Sequence, residues 1–390
     1  MGTETSLRLI TAIAATIALS MLAACGRATP ATPAAARTVD ITAADGVVLK
    51  GTLFGAPGGG PAVLLLHQCD DRRTVWDPLG PRLAAAGITA LSIDYRGYGD
   101  SGGTPHEKLT TAEATAITTS SWPGDIDAAF AFLMKQPRVT MERAGAAGGS
   151  CGANNAVQLA RRHTNVKALA LLAGGTDRAG RLFLAGAAAP PVFAAAAADD
   201  EYGNFVQIMS WHFGASHRPE SRFAQYQDGG HAAVVFRKHP ELADALTSWF
   251  AAVLTNRPDA LPTTNGVPLP PGVLDALQEV DQPGGAAAAL QRRAAPLPEL
   301  FVNQLGYEHM VMKDFPGAIE LMKLNAATYP DSPNAQDSLG DVYLAAGDKA
   351  SALAAAKRTL ELLEKDSVDT PRAKAGIRAG AEAKLNLTSR

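Results

Sequence analysis

Residues 145–156 read GAAGGSCGANNA, and this stretch narrows the folds open to the chain more than any other. A short apolar strand pattern, RAGAAGG, runs into a helical pattern, CGANNAVQLARRH, with only small residues at the junction. A strand turning that sharply into a helix strains its apex residue. The positions two before and two after the apex then crowd each other and must be small. With Ser150 at the apex those positions are Gly148 and Gly152, a full G-x-S-x-G. With Cys151 they become Gly149 and Ala153, a tighter fit. The glycines favour Ser150 as a nucleophile and leave Cys151 as the alternative.

The surrounding chain is organised as such a junction requires. Over residues 38–254 apolar strand patterns alternate with amphipathic segments, the signature of an α/β fold with a mostly parallel sheet. TVDITAADGVVLKGTLF alternates around Asp45-Gly46 and predicts an opening hairpin. PAVLLLH, ITALSIDYR, VKALALLAG, PPVFAAAA and SRFAQYQ predict further strands. TVWDPLGPRLAAAG (stopped by Gly87), WPGDIDAAFAFLMKQ and ELADALTSWFAAVL predict helices. Only about fifteen residues separate VKALALLAG from PPVFAAAA, too few for a large lid. The Thr- and Ser-rich residues 102–121 are the expected shaper of a pocket.

R-A-G-A-A-G-G-S-C-G-A resembles the strand–elbow–helix of α/β-hydrolases, and the likeness extends through residues 45–254. It takes in His67-Gln68, where many members have His-Gly, and D-Y-R-G-Y-G-D-S at 94–101. It also takes in P-P-V-F…D-D near 191–200 and G-G-H-A-A at 229–233. Dienelactone-hydrolase-like and peptidase-like esterases are the relatives it looks most similar to. Dienelactone hydrolases use cysteine as nucleophile, which keeps Cys151 in play. The resemblance implies an α/β-hydrolase fold without a large lid. It also implies a serine hydrolase that cleaves a small-molecule ester, lactone or amide through an acyl-enzyme.

A serine hydroxyl is a weak nucleophile until a base takes its proton. Of eight histidines, His231 follows the last predicted strand and precedes the closing helix, where α/β-hydrolases place theirs. His217, His239 and His309 read as loop histidines, and His67 as a strand end buttressing an oxyanion loop. The orienting carboxylate is expected after PPVFAAAA, among Asp199, Asp200 and Glu201. Counting from Pro191 as relatives run favours Asp200, with Asp199 next and Asp177 a further alternative. The order Ser150…Asp200…His231 is that of α/β-hydrolases. Two backbone N–H groups must meet the developing oxyanion; the fold implies those of Cys151 and of Gln68 or Cys69. A Cα separation within about 7 Å would let Cys69 and Cys151 form a disulfide; a larger one leaves two small buried thiols.

Residues 97–102 satisfy G-x-G-x-x-G, yet no apolar period opens a helix at the third glycine to meet a pyrophosphate. NAD is therefore not expected. Without H-E-x-x-H or a paired C-x-x-C, a metal is not expected either, and the reading carries no cofactor. A net charge of −3 with no Lys/Arg block gives no case for nucleic acid.

The two ends of the chain add further expectations. Residues 9–24, LITAIAATIALSMLAA, are apolar but short of a comfortable membrane span. They end at Leu22-Ala23-Ala24-Cys25, which resembles a bacterial lipoprotein signal. That implies removal of residues 1–24, lipidation of Cys25 and a flexible tether over 25–37. The protein would then be exported and held to a membrane of the cell envelope, facing the periplasm or exterior. An ordinary secretory peptide is the alternative. Residues 255–272, studded with proline, read as a linker from the 38–254 domain to a helical region, 273–390. There Leu305-Gly306, Asp314 and Ala318 recur thirty-four positions on as Leu339-Gly340, Asp348 and Ala352. This period resembles the tetratricopeptide repeat, with copies at about 300–333 and 334–367. Two copies are fewer than a free-standing array needs, so 273–297 supplies another helix or the pair docks on the first domain. Such repeats bind proteins, so the rival to an enzyme is a catalytically inactive, membrane-tethered interaction module.

Overall fold

The computed structural model describes residues 35–388 apart from 70, 271 and 293–295. Cys25 and the signal-like segment lie outside the described residues. Among those residues the apolar runs become one eight-stranded sheet: β1 (Arg37–Thr42), β2 (Val48–Phe54), β3 (Gly60–Leu66), β4 (Thr89–Ile93), β5 (Val139–Gly149), β6 (Val166–Leu172), β7 (Val192–Ala197) and β8 (Arg222–Tyr226). The order is β1-β2-β4-β3-β5-β6-β7-β8. Only β2 runs against the rest, antiparallel to both β1 and β4, and every pairing from β4 to β8 is parallel. This is the mostly parallel sheet that the likeness to α/β-hydrolases implies.

A parallel strand covered on both faces must be apolar throughout, and β3 shows why PAVLLLH has no polar alternation. Leu64 and Leu66 enter one core, Val63 and Leu65 the other, all fully buried. The second core is closed by α1 (Gly80–Ala85), far from the junction sequence, and by the last helix of the α/β part. Between them come α2 (Thr111–Ala116), α3 (Trp122–Met134), α4 (Cys151–Arg162), α5 (Arg178–Ala185), α6 (Phe205–Ala215) and that last helix, α7 (Glu241–Leu254). Helices α3, α4 and α6 cover the first core. Helix α2 starts with a capping box in which Thr110 and Glu113 satisfy each other's backbone N–H groups.

Residues 262–267 do not hang free. Gly266 N–H donates to Phe223 O (2.8 Å) and Asn265 exchanges two hydrogen bonds with Gln225, so the proline-rich stretch lines the edge of β8. Seven helices follow: α8 (Val273–Val280), α9 (Gly285–Arg292), α10 (Glu299–Val311), α11 (Phe315–Thr328), α12 (Pro333–Ala345), α13 (Lys349–Leu363) and α14 (Pro371–Thr388). Asp314 and Asp348 cap α11 and α13 by accepting from Gly317 and Ser351 N–H, and Ala318 and Ala352 are fully buried. These helices share the first core: Leu277, Phe301 and Leu305 pack in the cluster that holds Leu64 and Leu66, with Phe301 4.5 Å from Trp211. Arg181 pairs with Glu308 and Arg178 with Asp281 (3.0 Å) across the same seam. From residue 35 onward the chain is one compact unit.

Candidate functional site

β5 ends at Gly149 and α4 begins at Cys151, so a single residue, Ser150, makes the turn. It does so at φ 51°, ψ −121°, a region a non-glycine residue occupies only when its surroundings enforce it. The enforcement is visible in the neighbours. A Cβ on Gly148 would lie 1.9 Å from Gly152 O, and one on Gly152 2.4 Å from Leu66 O. The crowding expected on either side of Ser150 is therefore present, and α4 starts hard against the end of β3. Ser150 N–H donates to Leu172 O of β6 (2.9 Å), fixing the apex from the other side.

The loops after β7 and β8 meet next to this turn. His231 Nδ1 lies 2.7 Å from Asp200 Oδ2, both side chains buried. The carboxylate only accepts, so Nδ1 carries the proton and donates, leaving Nε2 with a lone pair. The other carboxylate oxygen, Oδ1, accepts from Tyr202 N–H (2.9 Å). The rings of Tyr202 and Phe205 flank the imidazole at 4.6 and 5.1 Å. Asp199 is turned elsewhere: its Oδ1 accepts from Gly230 N–H (2.8 Å). Partial burial pushes the Asp199 carboxyl up, but the N–H groups of Gly230 and Gly229, with Lys238, hold it net below its ordinary value. Asp177 caps α5 through Gly180 N–H (2.7 Å). The His231 loop packs on the turn, since a Cβ on Gly149 would come 3.2 Å from Ala232 Cβ. Among the described residues no hydrogen bond joins Ser150 to His231.

The loop after β3 supplies the third side. His67 Nε2 accepts from Tyr95 N–H (3.1 Å), so Nδ1 holds the proton and donates to Gln68 O (2.6 Å). Gln68 Oε1 in turn accepts from Ala233 N–H (3.1 Å), tying this loop to that of His231. Cys69 and Cys151 are joined in a disulfide with Cα atoms 5.8 Å apart. A cysteine attacks as its thiolate; with its sulfur in this bond, Cys151 has none to offer.

The G-x-G-x-x-G stretch folds around a carboxylate. Asp94, fully buried, accepts from Arg73 N–H (2.7 Å) and Asp100 N–H (3.0 Å) and pairs with the Arg73 guanidinium. Gly99, at φ 51°, is the close approach this needs, and the chain leaves Gly102 as a turn. Tyr202 and Phe205 are neighbours of the site that the sequence reading passed over. The aromatic pair follows the Asp199-Asp200 dipeptide closely, and that was its available signal. Arg372, on α14, had none: its guanidinium carbon sits 4.3 Å from the Tyr202 ring centroid, brought there by the fold alone. Among the described residues no three His, Cys, Asp or Glu side chains converge as a metal site would need.

Comparison with known proteins adds a family. The sequence profile of the dienelactone hydrolase family matches residues 50–254, a little over half of the chain. Two Mycobacterium tuberculosis proteins, from strains CDC 1551 / Oshkosh and ATCC 25618 / H37Rv and both uncharacterized, are 36% identical over 98 residues. That match is 24% of this chain and 35% of theirs, so the chain spans about a third of the length of the curated relatives it matches. Among solved structures, the esterase Pf2001 of Pyrococcus furiosus is 17% identical, covering 56% of this chain and 93% of its own at a TM-score of 0.45. The 2,6-dihydroxy-pseudo-oxynicotine hydrolase is 18% identical, covering 60% and 72% at a TM-score of 0.46.

Proposed function

The chain belongs to the dienelactone hydrolase family, and from that premise we propose that it is a serine hydrolase acting on a small ester, lactone or amide. Ser150 Oγ gives its proton to His231 Nε2 and attacks the substrate carbonyl carbon. Asp200 holds the His231 Nδ1–H and stabilises the imidazolium that forms. Backbone N–H groups at Cys151 and at Gln68 or Cys69 receive the oxyanion. Collapse of the tetrahedral intermediate expels the leaving group with the proton from His231. Water, deprotonated by the same nitrogen, then cleaves the acyl-enzyme and restores Ser150. The observation that carries this reading is the buried His231–Asp200 pair at 2.7 Å beside a strained serine turn whose neighbouring cysteine is already bonded.

The helical region, with tetratricopeptide-like repeats at about 300–333 and 334–367, serves this hydrolase by walling its site, since Arg372 on α14, beyond the second repeat, reaches Tyr202 and Tyr202 covers His231. The Leu22–Cys25 pattern supports export with a lipid on Cys25, and a disulfide suits an oxidising compartment. One experiment addresses site and location together. A fluorophosphonate probe on fractionated cells is expected to label the protein in the membrane fraction, with Ser150→Ala unlabelled and Cys25→Ala labelled but soluble. His231→Ala should lower kcat at least about a thousandfold. Labelling that persists in Ser150→Ala would remove the nucleophile assignment.

A further inference from the structure

We infer that the Cys69–Cys151 disulfide positions the oxyanion hole, and that the two residues it joins are themselves the two N–H donors. This rests on Ser150 as nucleophile. Cys151 is the first residue of α4, where a helix leaves its N–H without an intrahelical acceptor, and it directly follows Ser150. The choice between Gln68 and Cys69 follows from peptide geometry. The Gln68 carbonyl is turned to His67 Nδ1 (2.6 Å) and Asp71 N–H (3.2 Å). In a trans peptide the next N–H points the opposite way, so the Cys69 N–H faces away from His67, and no backbone acceptor meets it among the described residues.

Two donors that reach one oxygen at about 2.7–3.1 Å have nitrogens no more than about 6 Å apart. The Cα atoms of Cys69 and Cys151 are 5.8 Å apart; with each nitrogen about 1.5 Å from its own Cα, the two nitrogens lie between about 3 and 9 Å apart, a range that includes that spacing, and the bond between the side chains holds the two residues together. Other ties are weaker. Hydrogen bonds of Gln68 with Ala233 N–H, His67 Nδ1 and Asp71 N–H also hold the Cys69 loop. Both cysteines are half-buried, so a reductant can reach them. The sulfurs are positioning groups, not reacting ones: they act through the N–H groups of their own residues.

The test is reduction of the folded wild-type protein. A trialkylphosphine takes the bond apart with water, giving two thiols and one phosphine oxide, and a thiol titration counts the product. The expected result is a kcat about 10- to 100-fold lower with KM changed less than about twofold. A boronic acid, which places a hydroxyl in the hole, should lose affinity by the same factor. Reoxidation should restore both. The double variant Cys69→Ser/Cys151→Ser should match the reduced protein. An unchanged kcat with two titrated thiols overturns the inference, as does a kcat loss matched by loss of folded protein in near-UV circular dichroism. Failure of the nucleophile reading is separate: it shows as fluorophosphonate labelling that ignores Ser150→Ala.

Discussion

His212, on α6, is a polar residue in surroundings that do not suit it. It is fully buried, and among the described residues neither ring nitrogen has a hydrogen-bond partner. Burial, and then the nearby Arg181 charge, push its pKa down to about 3. The ring is therefore neutral in the folded protein at any ordinary pH, and behaves as an aromatic with two idle polar atoms. In the unfolded chain the same imidazole titrates near 6.5. Above that pH neither state is protonated and the residue has no pH-linked effect. Below it the unfolded state takes up a proton that the folded state refuses, so stability falls as pH drops from about 6.5 toward 3. At pH 5 the loss from this one group is about 2 kcal/mol. His212→Leu should remove that loss. Urea unfolding at pH 7.5 and pH 5 gives the measurement, and the variant should lose about 2 kcal/mol less between them than the wild type. Comparing the two differences cancels the other titrating groups, and equal losses would discard the assignment.

Among the elements, the strand–turn–helix at Ser150 tolerates least change. Gly152→Ala would put a Cβ 2.4 Å from Leu66 O and 2.7 Å from His67 O, both backbone atoms of a central strand's end. We expect a cost of at least about 2–3 kcal/mol and loss of fluorophosphonate labelling. Gly124, in α3, has nothing within 4 Å of a Cβ, so Gly124→Ala should be neutral or up to about 1 kcal/mol stabilising. Thermal unfolding of both variants checks the contrast; equal behaviour would mean that the turn can relax. That junction was legible in the sequence because its constraint is local: the sterics of positions 148, 150 and 152 need no knowledge of the rest of the chain. The Asp200–His231 pair was legible through the resemblance to α/β-hydrolases, which left Asp199 as the alternative. Helix α6 was not, since FVQIMSWHFGA is buried on Ile208, Met209, Ser210, Trp211 and His212 in succession and shows no amphipathic period. Residues 255–272 read as a linker because they are studded with proline. What docks them is Gly266 N–H and the Asn265 side chain on β8, and neither is visible without the partner strand.

Over the whole molecule, the helical region behaves as part of the α/β core. Trp211 and Ile208 of α6 lie in one apolar cluster with Leu277, Val280, Phe301, Val302, Leu305 and Leu321. Removing the helices would bare that face to water, at a cost that scales with the apolar area exposed. The seam is also charged: the Arg181 guanidinium pairs with Glu308, lies over the Trp211 ring (4.7 Å) and donates to Thr176 O (3.0 Å). Two parts joined this way should unfold together. All four tryptophans (Trp76, Trp122, Trp211 and Trp249) lie in the α/β part, with Trp211 at the seam against Phe301, so fluorescence reports that part and its seam. Far-UV circular dichroism includes the seven C-terminal helices. The two denaturation curves should coincide. Phe301→Ala, a change entirely within the helical region, should cost about 3–5 kcal/mol and move both curves by the same amount. A shift of the circular dichroism curve alone would mean that the helices melt independently, and Arg372 could then not hold its place over Tyr202 beside His231.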